Sequence, residues 1–299
     1  LSFVKPALSQ APADLAMIPA TINIDWFYMP VYPVLNHVPG LTVWIVLIAA
    51  TAFLMLLPWM PPGKKIPVAV VNLDNCNGCS RCAADCPFSA ITMEPRSDGS
   101  AYEKEAVVVA NNCTSCGICV GSCPTATPFR TKSELSPGIE LPLDPIKALR
   151  DNTIAASENL SGNDRVIVYG CQNSLDPKAL TDANVGVVTM PCIAMLPPSF
   201  IDFVLSRKLA DGVFLTGCRD GDCTFRLGIK WTDARIAGER DPMLRKRVDQ
   251  NRVVKYWAGL TRRKKFFSEI SGFRERLNKL ALEKTEQSDV KENSENNNA

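Results

Sequence analysis

The chain has 299 residues, a formal net charge of +2, 46% hydrophobic residues and 21% charged residues. This near-neutral balance excludes a strong global pull toward nucleic acid or polyanionic substrates, and the length admits two small domains plus extensions. Twelve cysteines stand against one histidine, which excludes bis-histidine haem ligation within these residues and, with eight cysteines in two identically spaced sets, points to thiolate-held metal rather than disulfides.

Residues 1–14 show no signal-peptide pattern, and residues 1–40 are rich in Pro and aromatics and poor in charge. The run "LTVWIVLIAATAFLMLLPWM", Leu41 to Met60, contains no charge. A bilayer core needs roughly 17–25 mostly apolar helical residues, so the run is expected to span a membrane. The competing reading is a buried core helix of a soluble protein. Pro39–Gly40 before it and Pro58, Pro61 and Pro62 after it are its expected stops. Lys64 and Lys65 follow directly, while Lys5 alone precedes it. The positive-inside rule then places everything after residue 62 in the cytoplasm and the N-terminus outside. A reducing cytoplasm suits metal-binding thiols.

"CNGCSRCAADCP" runs from Cys76 to Pro87 and "CTSCGICVGSCP" from Cys113 to Pro124. Both read C-x2-C-x2-C-x3-C-P, in which the first three cysteines hold one cluster and the fourth reaches the other. The spacing predicts one [4Fe–4S] cluster on Cys76, Cys79, Cys82 and Cys123, and a second on Cys113, Cys116, Cys119 and Cys86. Gly78 and Gly117 are expected to let backbone N–H groups approach the sulfurs. The module resembles bacterial two-cluster ferredoxins over about sixty residues; structural zinc is the weaker alternative.

After residue 164 the pattern changes. "VIVY", "VGVVTM", "GVFLT" and "RVVKYW" alternate with helical stretches, which predicts a parallel α/β sheet. Cys171, Cys192 and Cys218 each stand just past one of the first three runs, and the Gly-containing "GCRDGDC" adds Cys223. Ligands gather outside the carboxyl ends of parallel strands, so four thiols are expected at one sheet edge. Four convergent thiolates suit an iron–sulfur cluster or zinc; ordinary buried cysteines and a Cys218–Cys223 redox disulfide are the bland alternatives. "VYGCQNS", "VTMPC" and "GCRDGDCTFRLG" resemble the delta subunit of methyl-viologen-reducing hydrogenase across roughly residues 165–270. The resemblance implies a [2Fe–2S] cluster on Cys171, Cys192, Cys218 and Cys223 and a heterodisulfide-reductase-type flavoprotein as partner. Members of that family tend to carry additional cysteines near the first strand end, where Gly170 and Ser174 stand here.

"INIDWFYMPVYPVLNHVPG", Ile22 to Gly40, resembles the part of cytochrome b that follows its quinol-site Pro-Glu-Trp-Tyr motif. Asp25, Trp26 and Phe27 stand at the Glu-Trp-Tyr positions, and Ile24 replaces the proline. The resemblance implies a quinone-site acid at Asp25 on the outer side; the alternative is an interfacial anchor with a solvated Asp. His37 reads as an interfacial residue. From Arg226 to Lys265 thirteen Lys/Arg face four Asp/Glu. That stretch is either a solvated face or a surface for an acidic partner or the anionic inner leaflet, with "RRKKFF" suiting the membrane.

The expected fold class is therefore a membrane-anchored multidomain chain: one transmembrane helix, a ferredoxin-like α+β two-cluster domain, and a parallel α/β domain. The boundaries are 1–40 for the outer cytochrome-b-like segment, 41–60 for the helix, 66–132 for the two-cluster domain, 133–164 for a linker with a helix starting near Asp144–Pro145, 165–282 for the α/β domain and 283–299 for a disordered tail. The expected role is an electron-transfer subunit of a membrane-bound respiratory complex. It would relay electrons between a cytoplasmic flavoprotein or other dehydrogenase and a cytochrome-b or quinone/quinol site, with no complete active site of its own and no nucleic-acid partner. Feeding a hydrogenase or heterodisulfide-reductase-type complex, or serving as a membrane-tethered redox sensor, are the rival roles.

Overall fold

A computed structural model of the chain describes residues 16, 33, 36–60, 66–130, 135–174, 184–259 and 262–296, with side chains as far as residue 283. It divides into two units, Leu1–Lys65 and Ile66–Ala299. In the first, helix α1 spans Gly40–Leu56 and continues as a 3-10 turn over Leu57–Trp59. Pro58 sits within the first two positions of that turn, where a missing N–H costs little. The resulting 20-residue segment has a mean hydropathy of 2.4, and none of it is buried. Its length, at ~1.5 Å per residue, is about 30 Å. His37 is exposed, with Nδ1 2.8 Å from the carbonyl oxygen of Pro33. Asp25 lies outside the described residues.

The second unit opens with the cysteine-rich repeats. Strands β1 (Val70–Val71), β2 (Ile91–Pro95) and β3 (Lys104–Val108) surround two short helices, α2 (Arg81–Asp85) and α3 (Ile118–Ser122). β2 and β3 form an antiparallel hairpin with Ile91 opposite Val108. β1 pairs with β4 (Ile139–Glu140), which lies inside the stretch expected to be a linker. That stretch also contains helix α4 (Ile146–Glu158), starting after Pro145 as its sequence implies. Leu135, Ile139, Leu141, Ile146 and Leu149 are all buried. The "linker" is thus the closing strand of the ferredoxin half plus a covering helix of the next, because its apolar residues have two surfaces to pack against.

Four parallel strands follow, β5 (Val166–Cys171), β6 (Val185–Met190), β7 (Gly212–Gly217) and β8 (Val253–Trp257), in spatial order β6-β5-β7-β8. These are the four runs read from the sequence. Helices α5 (Ser199–Ser206), α6 (Gly228–Ala237) and α7 (Arg263–Asn296) complete the fold. Every residue of β5 and β7 is buried, as expected for strands covered on both faces. Val166, Val168 and Phe214 pack on Phe266, Ile270, Phe273 and Leu277 of α7. Ile167, Tyr169, Val213 and Leu215 face the other way, into a core that also contains Cys82, Ala106, Cys119, Val120 and Cys123 of the ferredoxin half. The two halves therefore share one core.

Two expectations change here. Phe266 of "RRKKFF" is fully buried beneath β7, so half of that aromatic pair serves the core rather than a membrane face. α7 continues to Asn296 through residues expected to form a disordered tail. No Pro or Gly follows Gly272, so nothing in the sequence breaks the helix.

Candidate functional site

Each cysteine repeat folds into a loop and one short helix. The backbone enters the left-handed region twice in each, at Gly78 (φ 62°) and Ser80 (φ 63°) in the first and at Ser115 (φ 55°) and Gly117 (φ 78°) in the second. Glycine takes one of these turns in each repeat and serine takes the other, in opposite order. The sequence reading credited only the glycines; serine accepts the conformation at a cost that the surrounding structure must impose.

The turns gather the thiols into two sets. Cys76, Cys79 and Cys82 line one cavity together with Cys123. Cys113, Cys116 and Cys119 line another together with Cys86. Burial raises the Cys82 thiol to about 12, and neighbouring Cys123, Cys79 and Cys76 add to the rise. Burial likewise pushes the Cys119 thiol well up, with Cys116, Cys82, Cys113 and Cys86 contributing. Four thiols packed so closely resist ionisation unless a cationic centre sits among them. Among the described residues, no three Cys, His, Asp or Glu side chains converge as a single metal ion requires. Four cysteine thiols around each cavity are the donor set of a [4Fe–4S] cluster.

The late cysteines meet at the carboxyl edge of the sheet. Cys171 ends β5, Cys192 follows β6 by two residues, and Cys218 follows β7 directly. They are linked in one row, Cys171 to Cys218, Cys218 to Cys223 and Cys223 to Cys192. Cys171 Sγ lies 3.9 Å from Cys218 Sγ, and the hydrogen bond from Cys218 lowers the Cys171 thiol to about 7. Cys192 donates to Cys223 and lowers it, while its own thiol rises through that bond and through burial. A Cβ on Gly228 would stand 2.4 Å from Cys192 Sγ and 3.2 Å from Cys223 Sγ, so α6 begins directly against both. Four thiols in one linked group at a sheet edge suit an iron–sulfur centre or zinc. Ser174 donates its hydroxyl to the Cys171 carbonyl at 2.8 Å.

One group of residues was missed in the sequence. Asp85 and Ser122 each stand directly before the fourth cysteine of their repeat, and Ser122 Oγ donates to Asp85 Oδ2 at 2.6 Å. Arg235 of α6, 1% exposed, donates to Asp85 Oδ2 at 2.5 Å, Ser122 Oγ at 2.6 Å and the Ala194 carbonyl at 2.8 Å. Arg240 Nε donates to Asp85 Oδ1 at 2.7 Å. Burial alone would raise the Asp85 carboxyl; hydrogen bonds from Arg240, Ser122 and Arg235 more than offset it and hold it below its ordinary value. The available signal was a polar residue at the same position of both repeats. Elsewhere in the basic stretch, Arg245 and Arg247 pair with buried Asp202 at 2.9 and 2.6 Å, and Lys255 pairs with Asp233 at 2.6 Å. Part of its positive charge is therefore neutralised within the fold.

Two interleaved thiol sets joined to a parallel sheet with four more thiols at its edge define an iron–sulfur electron-transfer protein. Comparison with known families agrees: residues 75–127 match the 4Fe-4S dicluster domain, and residues 177–281 match methyl-viologen-reducing hydrogenase, delta subunit. The second match begins after Cys171. No curated protein matches the chain.

Proposed function

We propose that this chain is the iron–sulfur electron-transfer subunit of a membrane-bound respiratory complex. Cys76, Cys79, Cys82 and Cys123 hold one [4Fe–4S] cluster, Cys113, Cys116, Cys119 and Cys86 the other, and Cys171, Cys192, Cys218 and Cys223 a [2Fe–2S] cluster. The observation that carries the reading is the convergence of the four late thiols at three adjacent strand ends, fused through one core to a two-cluster domain. When bound, the clusters supply one-electron capacity. The protein's own residues fix their spacing, exclude water and tune potential. The exposed apolar helix Gly40–Trp59 supports a membrane anchor, and Lys64 and Lys65 support cytoplasmic clusters. A cytoplasmic flavoprotein on one side and a cytochrome-b-like subunit with quinone on the other are the partners this requires, with Asp25 as quinone-site acid. The match to the hydrogenase delta subunit favours a hydrogenase or heterodisulfide-reductase-type complex as the second reading of the soluble partner.

Anaerobic purification from membranes tests the reading. About ten irons per chain and a reduced [2Fe–2S] EPR signal abolished by Cys218→Ser are expected. About eight irons with no such signal, or a chain recovered wholly in the soluble fraction, would sink the corresponding part.

A further inference from the structure

Helix α6 runs past the ferredoxin half in a fixed direction. It starts on Cys192 and Cys223 at Gly228. Trp231 Nε1 then donates to the Asp85 carbonyl at 3.1 Å. Arg235, about 10 Å along the axis from Gly228 at ~1.5 Å per residue, reaches Asp85 and Ser122. Beyond the helix, Asp241 takes Arg81 at 2.8 Å, and Arg81 lies between Cys79 and Cys82. The start of α6 therefore marks the end of the ferredoxin half nearest the late thiols, and the first set lies toward its far end.

At the near end the contact is close and dry. Cys192 and Ala194 share a buried core with Cys116 and Ile118. A Cβ on Gly121 would stand 1.9 Å from the Ala194 carbonyl oxygen, and one on Gly117 would stand 2.7 Å from Met195 Sδ. The short helix Ile118–Ser122 and the turn Ile193–Met195 touch here with no room for a side chain.

We propose that Cys192–Met195 seated on Gly117–Gly121 is the electron-transfer contact between the two halves. It couples the late thiols to the set Cys86, Cys113, Cys116 and Cys119. It leaves Cys76, Cys79, Cys82 and Cys123 as the far set, with Cys79, the exposed cysteine, at the outlet. This rests on the reading that all three thiol sets hold clusters. One electron leaves one centre and enters the other; no bond forms and no proton moves. Tunnelling falls off exponentially with distance, so the set that touches the late thiols through buried backbone is the coupled one. Asp85, Ser122 and Arg235 are positioning residues that hold this register.

The test is EPR of the full-length chain with its iron content measured. In the fully reduced protein the late signal is broadened by a magnetic neighbour. Cys79→Ser leaves that broadening in place, and Cys116→Ser abolishes it. Any other pattern, broadening retained in Cys116→Ser above all, overturns the proposal. A narrow late signal in the wild-type chain with its full iron complement overturns it without any variant. Iron near about eight atoms with no late signal refutes instead the assignment of a cluster to the late thiols, so the two failures are distinct.

Discussion

Replacing Arg235 by Met removes one partner of a buried ion pair and leaves Asp85, 3% exposed, with Arg240 as its remaining cation. Breaking such a pair from one side costs ~3–5 kcal/mol, because the surviving charge stays buried. Arg240 still donates to Oδ1, so the lower end applies, about 3 kcal/mol. For a unit of this size each kcal/mol moves the midpoint by ~2–4 °C, which gives a fall of about 6–12 °C. Asp85→Asn is expected to cost a similar amount by stranding the Arg235 guanidinium. The double variant Asp85→Asn/Arg235→Met leaves fewer uncompensated charges. Its cost is expected to fall short of the sum by ~1–3 kcal/mol, the coupling typical of residues in contact. The assay is anaerobic thermal unfolding of iron-loaded protein at one scan rate, followed by circular dichroism. An Arg235→Met midpoint within about 3 °C of wild type, or strictly additive single effects, would refute the energetic role given to this network.

Gly228→Ala places a Cβ against Cys192 and Cys223 and is expected to lose about two of about ten irons while keeping the cubane absorbance; full iron content would count against the late site. Gly121→Ala forces the Ala194 carbonyl away and should lower stability by ~1–3 kcal/mol, whereas Gly272→Ala, with open space around it in α7, should raise it by ~0.5–1 kcal/mol; equal effects in thermal melts would contradict the packing described. Phe266→Ala, beneath the sheet, is expected to cost ~3–5 kcal/mol, and a surface-like effect under 1 kcal/mol would contradict its burial. Glu140 accepts from the Ile146 N–H at 2.7 Å, and burial raises its carboxyl above the usual range. A raised folded value favours the protonated form in the fold, so its stabilisation is present at low pH and is lost as pH rises through the folded value. Glu140→Gln keeps an acceptor without the charge; its melting midpoint should gain on wild type as pH rises above the ordinary carboxylate range and level off once the folded carboxyl has ionised. Glu140→Ala should lose ~1 kcal/mol through the missing cap.

The parallel strands were legible because they are buried on both faces and read as unbroken β-branched runs. The interleaved thiols were legible because their period is short and local. What the sequence concealed was long-range. Leu135 to Leu149 read as a linker because the surfaces that bury them, β1 at Val70–Val71 and the sheet face around Tyr169, lie far off in sequence. Ser80 and Ser115 gave no sign of their left-handed backbone, since serine ordinarily avoids it. Arg235 looked like one cation in a basic stretch; only the fold brings it to Asp85, 150 positions away. The Lys/Glu-rich end of α7 read as disordered because it lacks apolar residues, which govern packing and not helix formation itself.

The core shared between the halves ties metal to fold. Cys82, Cys119 and Cys123 sit in the same buried cluster as Ile167, Val213 and Leu215, so the sheet has no private interior on that face. A ligand that binds only the folded state stabilises all of the unit that folds with it. Oxidative loss of one cubane would loosen the sheet edge where the late thiols stand, and the remaining centres with it. With all three thiol sets loaded as proposed, the unit would behave as a fuse: damage at one link would disconnect the whole conductor rather than leave a partly wired chain to leak electrons.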